Sequence, residues 1–286
     1  QLKPDVFVAH GFSEHLWGRL AAYLAGVPHI VQVEHNTKER YTRFRYWLSR
    51  KLNTVTDAIV GCSEGVRQVL LRRGYDADKC IAISNGIKPD PFIDEPVPAS
   101  KRPNDIIMVA RIAKQKDHRT LIEAIAILQQ RHVNVKLHLI GKGKPRIVDG
   151  LKQQVQTLGL ESQVEFAGFR SDVPELLKST RIFVQCTHYE GMPLTLIEAM
   201  AAGCAVVGSQ VPGVQEVIVE DSNGLTHRHQ DAEHLADQLE RLVKDDSLCD
   251  RLALSARQDA LSHYTQTQMS QHYLNLFRDL QQGSSR

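Results

Sequence analysis

The sequence lacks the features of membrane-spanning and secreted proteins. Its 286 residues contain no apolar run near the roughly 20 residues that a membrane-spanning helix requires. The first residues, QLKPDVFV, have neither the basic nor the apolar segment of a secretory signal. The cysteines number only five and are widely spaced, which indicates reduced thiols rather than a disulfide framework or a zinc site. We therefore expect a cytoplasmic protein.

An excess of charge of either sign is also missing. The 35 basic and 33 acidic residues leave a net charge of +2, which predicts neither an anionic nor a cationic partner. With 42% hydrophobic and 24% charged residues, the composition is that of a globular protein rather than of a disordered chain. A chain of this length can form two cores of modest size.

Short β-type runs, among them DVFVA, HIVQVE, DIIMVA and RIFVQC, alternate with helix-period segments along the chain. This alternation predicts a parallel α/β fold. The segment Ser84–Arg102 has four prolines and no periodicity, so it separates two α/β blocks. We expect a complete doubly wound domain over 88–265. The first block, 1–87, begins within a strand and is about half as long, so we expect an incomplete Rossmann-like domain there.

Two glutamates flank the start of a predicted helix in RIFVQCTHYEGMPLTLIEAMAAGCAVVGS. The helix is expected over about 193–202, because Pro193 suits the first helical position and Gly203 suits the left-handed position after the end. Glu190 lies in the preceding loop, and Glu198 is turned away from the buried stripe of the helix. The loop should lie at the carboxyl end of a parallel strand, where open α/β sheets bind ligands.

Such an arrangement suits a nucleotide diphosphate-sugar. The start of a helix offers N–H groups and a positive dipole end to phosphate. A carboxylate on each side could accept hydrogen bonds from sugar and ribose hydroxyls. On these residues alone, the alternative is an incidental loop acid and an ordinary solvated helix glutamate.

The stretch EGMPLTLIEAMAAG resembles the E-x7-E signature of glycosyltransferase family 4 almost residue for residue. The resemblance implies that Glu190 contacts the donor sugar and Glu198 contacts the ribose. It also implies a donor-binding role for the residues at the helix start, which are Gly191, Met192, Leu194 and Thr195.

A basic pair, Arg111 and Lys116, lies in a predicted loop between an apolar strand and an amphipathic helix, in MVARIAKQKDHRTLIEAIAIL. Two cations could neutralise a diphosphate there, although a solvated loop with incidental charge has the same pattern. The segment resembles the family's Arg-x4-Lys diphosphate clamp, which implies a catalytic role for both residues. His10, at the end of the strand DVFVA, resembles the family histidine near the donor sugar; a structural role is the alternative.

The resemblance covers nearly the whole chain, through KPDVFVAH, GRLAAYLAGVPHIVQVEHN, ISNGIKPDPF and GFRSDVPELLKSTRIFVQ. It implies the GT-B fold, with two Rossmann-like doubly wound domains, and a retaining transfer from a UDP- or GDP-linked sugar without metal or other cofactor. The Asp-x-Asp sequence from Asp76 to Asp78 follows a helix and is interpreted as a turn, so we predict no metal ligand there. The final segment, 266–286, would be a helix that crosses back to the first domain, with one apolar face made of Met269, Tyr273 and Phe277.

Two other functions fit parts of the sequence. The segment GCSEG fits the G-x-S-x-G pattern of α/β-hydrolases, with Ser63 as the nucleophile, but a hydrolase does not account for the acidic and basic pairs. A non-catalytic nucleotide-sugar binder would result if the first domain is truncated. His227, His229 and His234 have no cysteine or carboxylate at ligand spacing, so we expect them to be solvated.

Residues 38–51, KERYTRFRYWLSRK, contain six basic residues and one acidic residue, a local net charge of +5. A helix here would be basic and amphipathic, with Tyr41, Phe44 and Leu48 on one face beside Trp47. It could lie on the anionic inner face of the cell membrane, which would suit a glycan or lipid-linked acceptor of the lipopolysaccharide type. Alternatively, the aromatic residues pack into the first domain. We expect no nucleic acid partner, since no other segment extends this basic surface.

Overall fold

The computed structural model describes residues 3–11, 13–38 and 41–283. The chain divides into two compact units, which are Gln1–Gly86 together with Gln266–Arg286, and Ile87–Thr265. We call them the first and the second unit. In the described part of the chain, every helix is too short or too polar to cross a membrane.

The first unit is built around a parallel sheet of four strands. The strands are β1 (Val6–His10), β2 (His29–Glu34), β3 (Ala58–Gly61) and β4 (Cys80–Ala82), in the order β1-β2-β3-β4. Its helices are α1 (Arg19–Leu24), α2 (Arg43–Lys51) and α3 (Glu64–Arg72), with a π-helical turn at Glu14–Gly18 and 3₁₀ turns at Leu52–Val55 and Ala77–Lys79. Every residue of β2 is buried, which is typical of an inner parallel strand covered on both faces.

The second unit contains a parallel sheet of six strands. The strands are β5 (Asp105–Val109), β6 (Lys136–Ile140), β7 (Val164–Gly168), β8 (Ile182–Gln185), β9 (Ala205–Ser209) and β10 (Leu225–His227). The helices are α4 (His118–Gln130), α5 (Pro145–Thr157), α6 (Val173–Ser179), α7 (Leu194–Ala201), α8 (Pro212–Gln215), α9 (Ala232–Lys244) and α10 (Asp246–His263). The strand order is β10-β9-β8-β5-β6-β7, and helices connect the strands because parallel neighbours need crossovers.

The last helix, α11 (Gln266–Gly283), belongs to the first unit. Its apolar side chains Met269, Tyr273 and Phe277 pack against the buried core of the first sheet. They are spaced by four residues, so they lie on one face of the helix. Burial of this face raises the pKa of Tyr273 to about 12. Two parallel α/β units are thus present, as the sequence predicts.

Candidate active site at the carboxyl edge of the second sheet

The order of strands in the second unit reverses beside β5. After β5, the chain adds β6 and β7 on one side of it, then crosses to the other side and adds β8, β9 and β10. The loops that follow β5 and β8 therefore leave the sheet in opposite directions. In open α/β sheets, such a switch point forms a crevice outside the carboxyl ends of the strands, where ligands bind.

Two glycines hold the loop after β5 close to the loop after β6. A Cβ at Gly141 would lie 1.9 Å from the carbonyl oxygen of Ala110, and a Cβ at Gly143 would lie 2.3 Å from that of Ile112. The Ile112 N–H donates to the carbonyl of Lys142 at 2.9 Å. Because no larger residue fits, the backbone on both sides of Arg111 is fixed, and the Arg111 side chain is exposed at the edge of the sheet.

Lys116 and Glu190 form an ion pair across the switch point. The Lys116 ammonium donates a hydrogen bond to a carboxylate oxygen of Glu190, and each side chain is only 13% exposed. The structure therefore brings together the loop of the predicted basic pair and the loop of the predicted acidic pair. A pair so little hydrated is costly to separate unless another partner replaces the one that is lost.

Polar contacts between the two loops support this pair. Gln115 donates through its side chain to the carbonyl of Tyr189 at 2.9 Å, and its own carbonyl accepts from the N–H of His188 at 2.9 Å. The N–H of Thr187 donates to the hydroxyl of Ser209 at 3.0 Å, which links the loop to the end of β9. These residues are not predicted from the sequence, although the carboxyl-edge rule points to them, because they lie in the loops after β5 and β8 and at the end of β9.

The helix after the acidic loop begins one residue later than predicted. Pro193 has an extended backbone (φ −80°, ψ 101°), and its carbonyl accepts from the N–H of Leu196 at 3.1 Å, so it is the N-cap rather than the first helical residue. The prediction that Pro193 is the first helical residue was wrong, because its backbone still has the extended conformation of the preceding loop. Proline has no side-chain acceptor, so the first N–H groups of α7 have no side-chain cap from Pro193. At the other end Gly203 has φ +72°, as predicted.

Gly213 allows α8 to pack closely against the loop that contains Glu190. A Cβ at Gly213, in α8, would lie 2.3 Å from the carbonyl oxygen of Gly191 and 2.6 Å from that of Glu190. Gly191 and Met192 are buried, while Leu194 is 41% exposed at the start of α7. Gly191 and Met192 thus belong to the buried support of the loop, and Leu194 to its surface.

Glu198 lies on the one side of α7 that is not fully buried. Its neighbours Leu196, Ile197 and Ala199 are completely buried, whereas Thr195 and Glu198 are half-buried at i and i+3. Burial raises the pKa of the Glu198 carboxyl group. The predicted orientation of Glu198 away from the core is confirmed.

His10 is placed at the end of β1 in the first unit. Its side chain is exposed, and its Nδ1 lies 2.9 Å from Nε2 of His35, with the two rings stacked at 5.2 Å. Partial burial lowers the pKa of His10.

The structure does not support Ser63 as a nucleophile. Ser63 is completely buried, and its hydroxyl oxygen accepts from the N–H of Val66 at 3.1 Å as the N-cap of α3. A serine nucleophile needs an exposed hydroxyl on a strained turn. The predicted turn at Asp76 is confirmed, since its carboxylate accepts from the N–H of Asp78 at 3.1 Å.

The prediction that three histidines are solvated was wrong for His227 and His234. His227 is completely buried at the end of β10, where Nε2 lies 3.1 Å from the hydroxyl of Ser209, and burial lowers its pKa to about 4. His234 is half-buried and accepts from the N–H of Arg228 at 2.9 Å. His229 alone is exposed, and it lies beside His188 rather than in open solvent. Sequence spacing missed the contacts of His227 and His229 because these join the ends of different strands.

The basic segment at 38–51 forms a shorter helix than its pattern allows. Glu39 and Arg40 lie outside the described residues, and α2 begins after Thr42, whose hydroxyl accepts from the N–H of Arg45. Tyr46, outside the predicted face, is half-buried and donates to the carbonyl of Arg73. On the predicted face, Tyr41 and Leu48 are half-buried, and the Tyr41 hydroxyl lies 3.1 Å from Nδ1 of His15. Phe44 (65% exposed) and Trp47 (53% exposed), by contrast, are exposed and stacked on each other.

Two parallel α/β units, the second with a crevice at its switch point, match the architecture of the GT-B glycosyltransferase class. The chain belongs to the family described as glycosyl transferases group 1, which matches residues 90–259, more than half of its length. Residues 1–91 match the family described as Glycosyltransferase Family 4. The family expected from the sequence is confirmed, and the hydrolase alternative is wrong.

Relatives of known activity are similar over different lengths. The UDP-Gal:alpha-D-GlcNAc-diphosphoundecaprenol alpha-1,3-galactosyltransferase of Escherichia coli is 24% identical over 295 residues, covering 97% of this chain and 76% of the relative. The lipopolysaccharide core biosynthesis glycosyltransferase LpsE of Rhizobium meliloti is 31% identical over 171 residues. That match covers 60% of this chain and 48% of LpsE.

Solved structures share the fold of the chain. HepE from Anabaena in complex with UDP has a TM-score of 0.88 at 21% identity, covering 96% of this chain and 79% of HepE. The same protein with UDP-glucose has a TM-score of 0.87 at 22% identity, over the same shares of both chains. At this level of identity, the likeness establishes the GT-B fold.

Proposed function

We propose that the chain transfers a hexose from a UDP-sugar to a glycan or lipid-linked acceptor in the synthesis of a cell-surface polymer, and that the second unit binds the donor. The observation that carries this proposal is the Lys116–Glu190 pair at the switch point, with Arg111 exposed in the loop that holds Lys116 and α7 beginning four residues after Glu190. A UDP donor and a lipid-diphosphate acceptor are named for the Escherichia coli relative, and a UDP-glucose complex is known for HepE.

Donor binding exchanges the partners of the ion pair. A diphosphate that enters beside Arg111 attracts the ammonium of Lys116 away from Glu190. The Glu190 carboxylate then accepts hydrogen bonds from hydroxyls of the donor sugar. Because each charge gains a new partner, neither is left buried and uncompensated during the exchange.

The helix start and the second glutamate complete the donor site. The N–H groups at Leu194 and Thr195 face the phosphate, as helix N-termini do in many nucleotide sites. Glu198, one turn further along α7, accepts from the ribose hydroxyls, while Gly191 and Met192 support the loop. His10 is assigned to the donor sugar on the family resemblance of its segment alone.

The transfer itself breaks the bond between the anomeric carbon and the leaving phosphate oxygen. The acceptor oxygen forms its bond to the anomeric carbon on the same face, so the configuration is retained. Its proton passes to an oxygen of the departing UDP. Arg111, Lys116 and the dipole of α7 stabilise the negative charge that grows on the diphosphate, and in this proposal they do so without a metal ion.

Calorimetric titration with UDP and with UDP-glucose in excess EDTA tests metal-free donor binding. We expect both nucleotides to bind with the same affinity before and after chelation, since the cations that hold the diphosphate belong to the protein. Affinity for UDP that disappears with EDTA and returns with Mg²⁺ would overturn this part of the proposal.

We further propose that α2 attaches the first unit to an anionic membrane surface from which a lipid-linked acceptor is reached. Phe44 and Trp47 are exposed among cationic side chains, of which Arg43, Arg45 and Arg50 are exposed too. Aromatic rings suit the membrane interface, and each cation near anionic lipid contributes about 1 kcal/mol. The exposure of Phe44 and Trp47 favours this role for these two rings over packing into the domain.

Vesicle co-sedimentation tests the attachment. Arg43→Glu/Arg50→Glu protein should bind anionic vesicles at least about thirtyfold more weakly than wild type, since two favourable charges are lost and two unfavourable charges are added. Lys101→Glu/Lys136→Glu protein has the same change in net charge on the second unit and should bind like wild type. Equal binding by both variants would mean that the patch is structural and that the acceptor is reached in another way.

A further inference from the structure

Three side chains to which the proposed reaction assigns no role lie together at the carboxyl edge of the second sheet. Asp117 follows β5, His188 follows β8 and His229 follows β10. Each offers one ligand atom, and the three atoms lie within 4.8 Å of one another. His188 Nδ1 is 2.8 Å from His229 Nε2 and 3.8 Å from the Asp117 carboxylate.

Two of these three groups are held in position by neighbouring atoms. Asp117 is 7% exposed, and its carboxylate accepts a hydrogen bond from the hydroxyl of Thr120 at 2.7 Å. The N–H of His188 donates to the carbonyl of Gln115. His229 is exposed and closes the group from the solvent side. Asp117 and His188 are thus held in position, whereas the exposed side chain of His229 can adjust.

We propose that Asp117, His188 and His229 bind a divalent transition-metal ion of the Zn²⁺ class. Two imidazole nitrogens and a carboxylate oxygen are ligands that Zn²⁺ prefers, and three protein ligands leave a fourth position for water. Tetrahedral bonds of about 2.0–2.1 Å separate ligand atoms by roughly 3.3 Å. The two nitrogens must therefore move apart by about 0.5 Å, which the exposed ring of His229 can accommodate.

An ion at this position connects three loops. Asp117 and His188 are within two residues of Lys116 and Glu190, while His229 belongs to the loop after β10. Binding therefore fixes the loop after β10 against the two loops that hold the donor charges. The role is to stabilise this edge of the sheet, and it is separate from metal-free binding of the donor diphosphate.

Titration of the metal-free full chain with Co²⁺, followed by its visible absorption, tests the site. We expect saturation at one equivalent, displacement by Zn²⁺, and a loss of affinity of at least about a hundredfold in His229→Ala and in His188→Ala protein. Zn²⁺ at a hundredfold excess over its Kd should raise the Tm of the second unit by about 5–10 °C.

His263→Ala, at the exposed end of α10, is the matched control and should bind Co²⁺ like wild type. His229 is exposed, so its removal leaves the core intact, and UDP binding in EDTA should be unchanged in His229→Ala protein. Failure to reach saturation in the millimolar range, or the same Co²⁺ spectrum and affinity in His229→Ala as in wild type, would overturn the proposal. Either result leaves the donor site untouched.

Discussion

Two cations at opposite edges of the second sheet, Arg102 and Lys116, have different kinds of hydrogen-bond partner. At the amino edge, just before β5, Arg102 is 6% exposed. Arg102 donates at 2.8–3.2 Å to backbone carbonyls, which are those of Val97, Leu177, Thr180 and Ala202. At the carboxyl edge, Lys116 donates to another charged side chain, Glu190.

The two cations differ in whether their hydrogen-bond partner can turn to another group. A backbone carbonyl is held in place by the fold and cannot turn to another donor. The hydrogen bonds of Arg102 therefore connect the end of α7 to the segment before β5 as long as the unit is folded. A carboxylate on a loop can turn to another donor, which is what the proposed exchange with a donor diphosphate requires of Glu190. Arg102 thus serves the fold, whereas the partner of Lys116 is one that a ligand could replace.

Removing the ammonium at the carboxyl edge should give the largest effect on catalysis. We expect Lys116→Ala to lower the turnover of UDP-sugar by about 10²- to 10³-fold, as is typical when one preorganised stabiliser of a growing negative charge is lost. Lys114→Ala removes an exposed lysine of the same loop and should retain normal turnover. Steady-state kinetics on both variants provide the measurement. Equal turnover by Lys116→Ala and Lys114→Ala protein would contradict the special role of Lys116.

A substitution at the amino edge should act on stability and leave donor binding alone. Arg102→Ala leaves several buried carbonyls without their donor, so we expect the free energy of unfolding of the second unit to fall by about 3 kcal/mol. Arg251→Ala, which loses one exposed bond to the carbonyl of Asp221, should change it by less than about 0.5 kcal/mol. Urea unfolding measures both, and a specific loss of UDP affinity in folded Arg102→Ala protein would contradict the separation of the two edges.

A smaller effect should distinguish the two glutamates of the carboxyl edge. Glu198→Ala should weaken UDP binding about tenfold, because hydrogen bonds from the ribose to a charged group are lost. Glu190→Ala should leave UDP affinity unchanged and weaken UDP-sugar binding or turnover. Calorimetry with both ligands on both variants decides the matter; the same loss for UDP and UDP-sugar in the two proteins would contradict the assigned roles.

The raised pKa of Glu198 gives this comparison a pH dependence. Ribose hydroxyls donate best to the ionised carboxylate, so UDP affinity should fall as the pH is lowered through that pKa, beginning above the ordinary glutamate value of 4.5. Glu198→Gln should lose this part of the pH profile. The raised pKa of Glu198 has the opposite effect on stability. The free energy of unfolding falls as the pH rises above 4.5, because the buried charge disfavours the folded state.

Local patterns in the sequence were sufficient for the main elements of the fold. Alternating β-type runs and helical segments predicted two parallel α/β blocks, because strand and helix periodicities depend only on neighbouring residues. Gly203 was recognised for the same reason, since a left-handed residue after a helix is a local requirement. Pro193 was misplaced by one position, because its preference for the first helical position is weaker than the turn imposed by the loop.

Contacts between distant segments were decided by tertiary structure. The motifs identified Lys116 and Glu190 separately, but their ion pair depends on the reversal of strand order, which no local pattern encodes. The same holds for Asp117, His188 and His229, which follow three different strands and meet only because the sheet aligns the carboxyl ends of those strands. Ser63 is the opposite case. Its motif suggests a nucleophile, but the tertiary structure buries its hydroxyl as the N-cap of α3. The sequence alone determined which residue types stand at the ends of strands, and the order of strands in the sheet determined which of them can interact.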